Sequence, residues 1–309
     1  MQEGTAKLID GMDRRNMTYK TPQTTSLSFE FFPPHNAYAS ARLWRSVERL
    51  APLGPKYVSV TYGAGGTTRE RTVSAIKTIQ DRARLNVAGH LTLVGASKAE
   101  TLDVAGAYAQ MGVRRIVALR GDALKGQDQF TAHPDGFQNA SELVAGLKEI
   151  GEFDISVAAY PEKHPDSADM IADIDNLKCK IDAGASSAIT QFFFENDDFL
   201  RFRDAAADAG ISAPIIPGIL PVENFTKMLR FADMCQANVP DWMHRAFRNA
   251  GDDAEVLATA ICAEQCDELQ AEGVDHLHFY TLNKPDLVYN ICRALGFEVT
   301  GVDLAASVA

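Results

Sequence analysis

The stretch SFEFFPP, Ser28–Pro34, decides how this chain is read. It is an apolar, strand-like run that carries one carboxylate, Glu30, and stops at two prolines. Strand alternation puts Ser28, Glu30 and Phe32 on one face and Phe29 and Phe31 on the other. Phenylalanine stands on both faces, so neither is clearly a solvent face. Pro33 and Pro34 end the ladder because proline has no N–H to donate. A carboxylate at the end of such a strand either points to solvent or caps a neighbour, or it sits in a pocket with a chemical role. The stretch alone leaves both open.

Working outward, the same kind of run recurs. SLSFEFF (26–32), YVSVTYG (57–63), NVAGHLTL (86–93), RRIVALRG (114–121), DISVAAYP (154–161), SSAITQFFF (186–194), PIIPGIL (214–220) and HLHFYTL (276–282) are rich in Val, Ile, Leu, Ala and Phe. Near-continuous apolar runs of this length fit strands buried on both faces. Helical patterns lie between them. Leu43, Val47 and Leu50 are helically spaced in 41–50, 99–111 ends before Gly112, and 170–183 ends before Gly184. Eight strand–helix repeats predict a single-domain α/β fold, a (βα)8 TIM barrel over 26–300, with a partly flexible segment at 1–25 and a tail at 301–309. An open doubly wound sheet is the competing fold. It is disfavoured because the first strand–helix turn has neither G-x-G-x-x-G nor a phosphate loop, and GAGGTT (63–68) fits neither pattern.

Composition narrows the class. The chain has 309 residues, 46% of them hydrophobic, enough for a large core. No run of about 18 apolar residues predicts a membrane span, and the first 25 residues lack an apolar signal-peptide centre. The net charge of −11, with scattered acids, argues against general nucleic-acid binding. Five cysteines in a large chain read as reduced and cytoplasmic. Cys262 and Cys266 read as buried helix residues, and no metal is expected.

A barrel places active-site groups at the C-terminal ends of its strands. Those ends carry Glu30, Thr61-Tyr62, His90, Arg120-Gly121-Asp122, Tyr160-Pro161-Glu162, Gln191 and Asn283-Lys284. Glu30, His90, Arg120 and Gln191 lie within or at the edge of apolar runs, which favours a functional role for Glu30. No Ser or Cys stands beside a His as a nucleophile–base pair. His276 and His278 share a strand face near the strand's start and read as structural.

Taken together, SFEFFPP, VSVTYGAGG, HLT, IVALRGD, ISVAAYPEKHP, ITQFFF, IIPGILPV and HFYTLN occur in this order, one per strand. In this the chain closely resembles the bacterial methylenetetrahydrofolate reductases, over about Leu27 to Phe297. The resemblance implies a barrel that binds FAD non-covalently and a ping-pong reaction. NADH or NADPH reduces the flavin, and the flavin then reduces 5,10-methylenetetrahydrofolate to 5-methyltetrahydrofolate. It also implies a cytoplasmic homo-oligomer. Glu30 and Asp122 are the implied catalytic residues. Glu30 would be the general acid that protonates folate N10, with a pKa raised by desolvation among Phe29, Phe31 and Phe32. Asp122 would lie near flavin and pterin; read from sequence alone it is equally an N-cap.

For FAD the matching positions are Tyr62, Ala64, His90, Arg120, Gly121, Asp122, Ala140, Tyr160, His164, Asp173, Asn176 and Lys180. Arg120 and Lys180 suit a pyrophosphate, and Asp173, Asn176 and Lys180 share a helix face. Asp122, Gln191, Lys227 and Lys284 match the folate site; Thr61, Gln191 and Phe231 match the nicotinamide site. Gln191 suits both because an amide donates and accepts without charge. Several positions depart from the pattern. Cys179 stands where a second basic residue is common, Asn139 where Tyr is common, Lys227 for Gln and Lys284 for Arg, and the 126–138 loop is long. Lys284 loses the planar fork for a carboxylate, so weaker folate binding is expected. The chain ends about 25 residues after Lys284, so no regulatory domain responsive to S-adenosylmethionine is expected. Two other functions remain on sequence grounds: a flavin-free folate methyltransferase barrel, which leaves Arg120, His164 and Lys180 unexplained, and a non-catalytic folate or flavin sensor.

Overall fold

The computed structural model describes residues 25–62, 69–124, 126–127 and 129–299. The expected terminal segments, apart from Thr25 and the domain's edge at 26, lie outside these residues. So do Ala64 and the rest of the 63–68 glycine-rich run. Strands and helices alternate: β1 (Ser26–Phe31), α1 (Ala37–Leu50), β2 (Tyr57–Val60), α2 (Arg69–Ala83), β3 (Val87–Thr92), α3 (Lys98–Gln110), β4 (Arg115–Leu119), α4 (Ala140–Ile150), β5 (Asp154–Ala159), α5 (Met170–Asp182), β6 (Ser187–Thr190) and α6 (Asn196–Asp208). Then follow β7 (Ile215–Ile216), β8 (Gly218–Ile219), α7 (Phe225–Cys235), α8 (Asp241–Ala250), α9 (Ala254–Ala271), β9 (His276–Tyr280) and α10 (Pro285–Ala294).

All paired strands are parallel, in the order β7-β6-β5-β4-β3-β2-β1-β9-β8. The two ends of that order, β7 and β8, are halves of one expected strand, 214–220. Pro217 divides them because it has no N–H for the ladder. β7 pairs with β6 and β8 with β9, so Pro217 closes the ring. The expected eight strands are thus nine by hydrogen bonding, and the architecture is a single-domain (βα)8-type barrel.

Alternation along the strands sorts the core into two shells. Phe29, Phe31, Val58, Val60, Ile116, Leu277 and Phe279 face the helices in one large apolar cluster. Each such side chain, fully buried, contributes about 1.5–3 kcal/mol. The inward set pairs a small apolar cluster of Tyr57, Ala88, Val117, Ile189 and Ile216 with buried polar groups. Ser28, Ser59, His90, Ser156 and His278 are among the latter. The register sets Glu30 beside Ser59 and Tyr280, and Ser28 beside Tyr57 and His278. Side-chain caps on the helices that follow the strands hold the upper face. Asn36, Ser97, Asn139, Asp169 and Asn224 each accept from the first turn of their helix, each cap contributing about 1 kcal/mol.

Candidate active site

Glu30 ends its strand inside the barrel mouth, with its side chain 15% exposed. Its Oε2 lies 3.2 Å from His90 Nε2 and 3.7 Å from His278 Nε2. His90 comes from β3, where Tyr108 donates to its carbonyl at 3.0 Å. His278 comes from β9. Ser28 Oγ lies 2.7 Å from His278 Nδ1 and 2.9 Å from His276 Nε2, so one hydroxyl links the two imidazoles. Thr281 Oγ1 donates to the Glu30 carbonyl at 2.6 Å, tying β1 to the loop that leads to Lys284.

This neighbourhood corrects one expectation. Burial does push the Glu30 carboxyl up, as the apolar run implied. Yet His90, with His278 beside it, outweighs burial and holds it down at about 2. An imidazolium at this distance favours the carboxylate more than desolvation penalises it. His278 is buried on the neighbouring strand β9, where its ring approaches Glu30. His276 stays one link further away, buried at the lower end of β9.

A second group of residues gathers above β4 and β5, with two cations, Arg120 and Lys180, each beside an acid. Arg120, at the end of β4, pairs with Asp166 at 2.8 Å and lies over the Phe130 ring at 4.9 Å. Gly121 has φ +87, and a Cβ there would come 2.6 Å from Val94, so glycine is needed. Tyr160 and His164 meet edge to face at 4.5 Å. The His164 backbone N–H donates to Asp173 Oδ2 at 2.7 Å, and Ser167 also donates to Asp173. On the same face of α5, Lys180 is buried and donates to the Ala158 carbonyl at 2.6 Å. Burial pushes the Lys180 ammonium down to about 8; Asp173 opposes that and Arg120 adds to it. Burial, then Arg120, likewise lowers His164. Burial, then the Asp122 carboxylate, pushes Tyr160 up to about 12.

The remaining expected residues fall around these two groups. Asp122 is exposed in the loop after β4, with no helix following, so it is no N-cap. Thr61 and Tyr62 are half-buried beyond β2, and Tyr62 lines a cleft of about 220 Å³ with Thr92 and Ala96. Ala140 is the half-buried first residue of α4, capped by Asn139. Asn176 and Cys179 are exposed on α5, away from the buried Asp173 and Lys180. Gln191 is half-buried just past β6, its Oε1 accepting from Phe192 N at 3.1 Å. Phe231 stacks on Phe192 with centroids 5.4 Å apart.

Phe231, Lys227 and Lys284 line a third region, a cleft of about 230 Å³ floored by Leu220, Met228 and Tyr280. Tyr280 is held there by its hydroxyl, which donates to the Thr190 carbonyl at 2.6 Å. A Cβ on Gly218 would fall 2.5 Å from the Tyr280 ring, so this glycine makes room for it. Lys284 pairs with Glu223 across the rim. The sequence reading did not single out His278, Tyr280, Asp166 or Glu223 as site residues. The first two were legible as the 276, 278, 280 face of HLHFY, once that face is set opposite Ser28 and Glu30. Asp166 and Glu223 lie in loops with no periodic signal. Cys262 and Cys266 are buried in α9, and no metal-sized cluster of ligands occurs among the described residues.

Comparisons with known proteins agree with this arrangement. A family model described as Methylenetetrahydrofolate reductase matches residues 16–296. The 5,10-methylenetetrahydrofolate reductases of Pectobacterium carotovorum and Escherichia coli K12 are each 48% identical over 274 residues, covering 88% of this chain and 90% of theirs. Methylenetetrahydrofolate reductase (NADH) 1 of Arabidopsis thaliana is 34% identical, and the match spans 48% of its length. Among solved structures, an uncharacterized protein from Clostridium thermocellum that binds two copies of 5-methyl-5,6,7,8-tetrahydrofolic acid aligns with TM-score 0.60 at 15% identity, over 88% of this chain and 95% of that one. At that identity the structural likeness speaks for the fold alone. The family match over most of the chain, and the identity to bacterial reductases, make this chain a member of the methylenetetrahydrofolate reductase family, oxidoreductases that reduce methylenetetrahydrofolate to methyltetrahydrofolate.

Proposed function

We propose that this chain is an FAD-dependent 5,10-methylenetetrahydrofolate reductase that uses NADH or NADPH in ping-pong fashion, with Glu30 as the acid. The observation that carries the reading is a buried carboxylate–imidazole cluster, with the cations Arg120 and Lys180, at the C-terminal ends of the barrel strands. Lys180 is a buried ammonium bonded to one carbonyl, lowered by desolvation and by Arg120 and supported by Asp173, and a phosphate anion would add to that support. Arg120 offers a planar fork to the same anion. Tyr62, His90, Gly121, Asp122, Ala140, Tyr160, His164, Asp173 and Asn176 complete the proposed set, with Ala64 outside the described residues. When bound, the flavin supplies the hydride acceptor and donor; the protein supplies placement and charge.

The folate substrate holds its one-carbon unit between N5 and N10, and opening that ring requires a proton on N10. Glu30 Oε2 is the proposed donor. Its carboxyl is held well below the ordinary range, so Oε2 must take up a proton as substrate fills the mouth before it gives one to N10. Asp122 would stabilise positive charge that develops on the pterin. Gln191 would bond the pterin or the nicotinamide amide in turn, and Thr61 and Phe231 would support the nicotinamide. Lys227 and Lys284 would hold the folate tail. The same reading takes the enzyme as a cytoplasmic homo-oligomer. The test is product analysis: purified protein with NADH or NADPH and methylenetetrahydrofolate should form methyltetrahydrofolate, and heat should release FAD. Absence of methyltetrahydrofolate with FAD present would refute the reading.

A further inference from the structure

The rim of the cleft between α7 and α10 carries an ion pair that the proposed reaction does not use. Lys284 lies at the start of α10, after Leu282 and Asn283, whose φ values are +49 and +54. This left-handed turn aims the chain back over the cleft. Arg42 of α1 braces it through the Asn283 and Leu282 carbonyls, at 3.4 and 3.5 Å. Lys284 is only 32% exposed in its side chain, and burial, then Arg42, lowers its pKa. Its anionic partner is Glu223, on the turn between β8 and α7. The cleft below is apolar, with Leu220, Met228, Phe231 and Tyr280. Among the cleft's lining residues Glu223 is the single acid, facing the two lysines, Lys227 and Lys284.

We infer that Glu223 is an internal substitute for the substrate's tail carboxylate, so that the Lys284–Glu223 pair closes the cleft rim until a carboxylate-bearing folate tail displaces it. This rests on the functional reading above. A ligand carboxylate cannot take Lys284 while Glu223 holds it; the two compete for one ammonium. Once displaced, Glu223 stays close and repels the incoming anion, so it opposes tail binding in both steps. The pair is half-exposed, so its competition is modest and displacement is easy, as a binding gate requires. Glu223 thus sets specificity through the tail, and a folate without tail carboxylates meets no such competition.

The experiment measures KM for methylenetetrahydrofolate, and for an analogue whose glutamate is replaced by an uncharged amide, with holoenzyme of wild type, Glu223→Gln, Lys284→Gln and the double variant. Glu223→Gln should lower the KM for the glutamyl substrate about two- to fivefold, leave that for the amide unchanged, and lose its effect when Lys284 is also Gln. An unchanged or raised KM in Glu223→Gln, or an equal fall for both substrates, would overturn the inference. If wild-type enzyme turns over neither folate, the functional reading itself fails, and the gate with it.

Discussion

Two carboxylates of this barrel each face basic side chains, and they behave in opposite ways. Glu30 lies inside the mouth against His90 and His278, with 15%, 7% and 0% of the side chains exposed. Glu223 lies on the rim against Lys284, with 46% and 32% exposed. Each of the first three residues sits on a strand whose register is fixed by neighbours. The second pair joins a turn to a helix start and is far more exposed to water. The difference teaches where chemistry and where exchange can sit. A fixed, desolvated pair controls where a proton resides, because its electrostatics are strong. A wet pair is weak enough for a ligand to replace.

The largest break in this comparison is Glu30→Gln. It keeps the shape and removes the proton donor. It should lower the rate of folate reduction by about 10²- to 10⁴-fold, with flavin reduction by the nicotinamide changed little, as measured by rapid mixing of each half-reaction. An equal fall in both would mean that Glu30 is not the acid.

Next in size is acid stability. The Glu30 carboxyl is held at about 2 against an ordinary 4.5. The stabilisation is therefore complete above pH 4.5 and is lost as pH falls toward 2, an effect of a few kcal/mol at most. His90→Gln should shrink that acid-sensitive contribution and let burial raise the carboxyl. Denaturant melts between pH 2 and 5, with the infrared carboxyl band, read both. An unmoved band would mean that His90 does not control the proton.

The Lys180 group gives an effect of similar size at the opposite end of the pH scale. Lys180 is pushed from 10.5 to about 8. Between those values the unfolded chain binds the extra proton, so the flavin-free protein should gain stability as pH rises from 8 to 10.5. Bound FAD should abolish the gain by stabilising the ammonium, and Lys180→Met should lack the gain and bind FAD about tenfold or more weakly. Melting temperatures of both forms across that range test it. Smallest of all, Lys284→Arg restores a planar fork and should lower folate KM about two- to fivefold. An unchanged KM would remove Lys284 from tail binding.

Much of this was legible in the chain itself. Eight apolar runs with helices between them gave the barrel, and the strand-end rule led to Glu30, His90, Arg120 and Gln191. What failed was what depends on neighbours distant in sequence. Glu30 looked isolated because His278 lies 248 residues further along the chain, so its pKa was read from burial alone. PIIPGIL looked like one strand because only pairing reveals that Pro217 splits it. Glu223 carried no periodic signal, since a turn residue's partner is set by tertiary position. Asp122, by contrast, was ambiguous in sequence, and the loop after β4 removes the capping alternative because no helix follows it.

The measurement that tests the account most directly is the visible absorption spectrum of the wild-type protein without oxygen, before NADH, after NADH, and after methylenetetrahydrofolate. The account predicts a flavin spectrum that bleaches with NADH and returns with the folate, since in the proposed reading one barrel mouth would serve both half-reactions. A protein that takes up no FAD, or a bleached flavin that the folate does not restore, would contradict it.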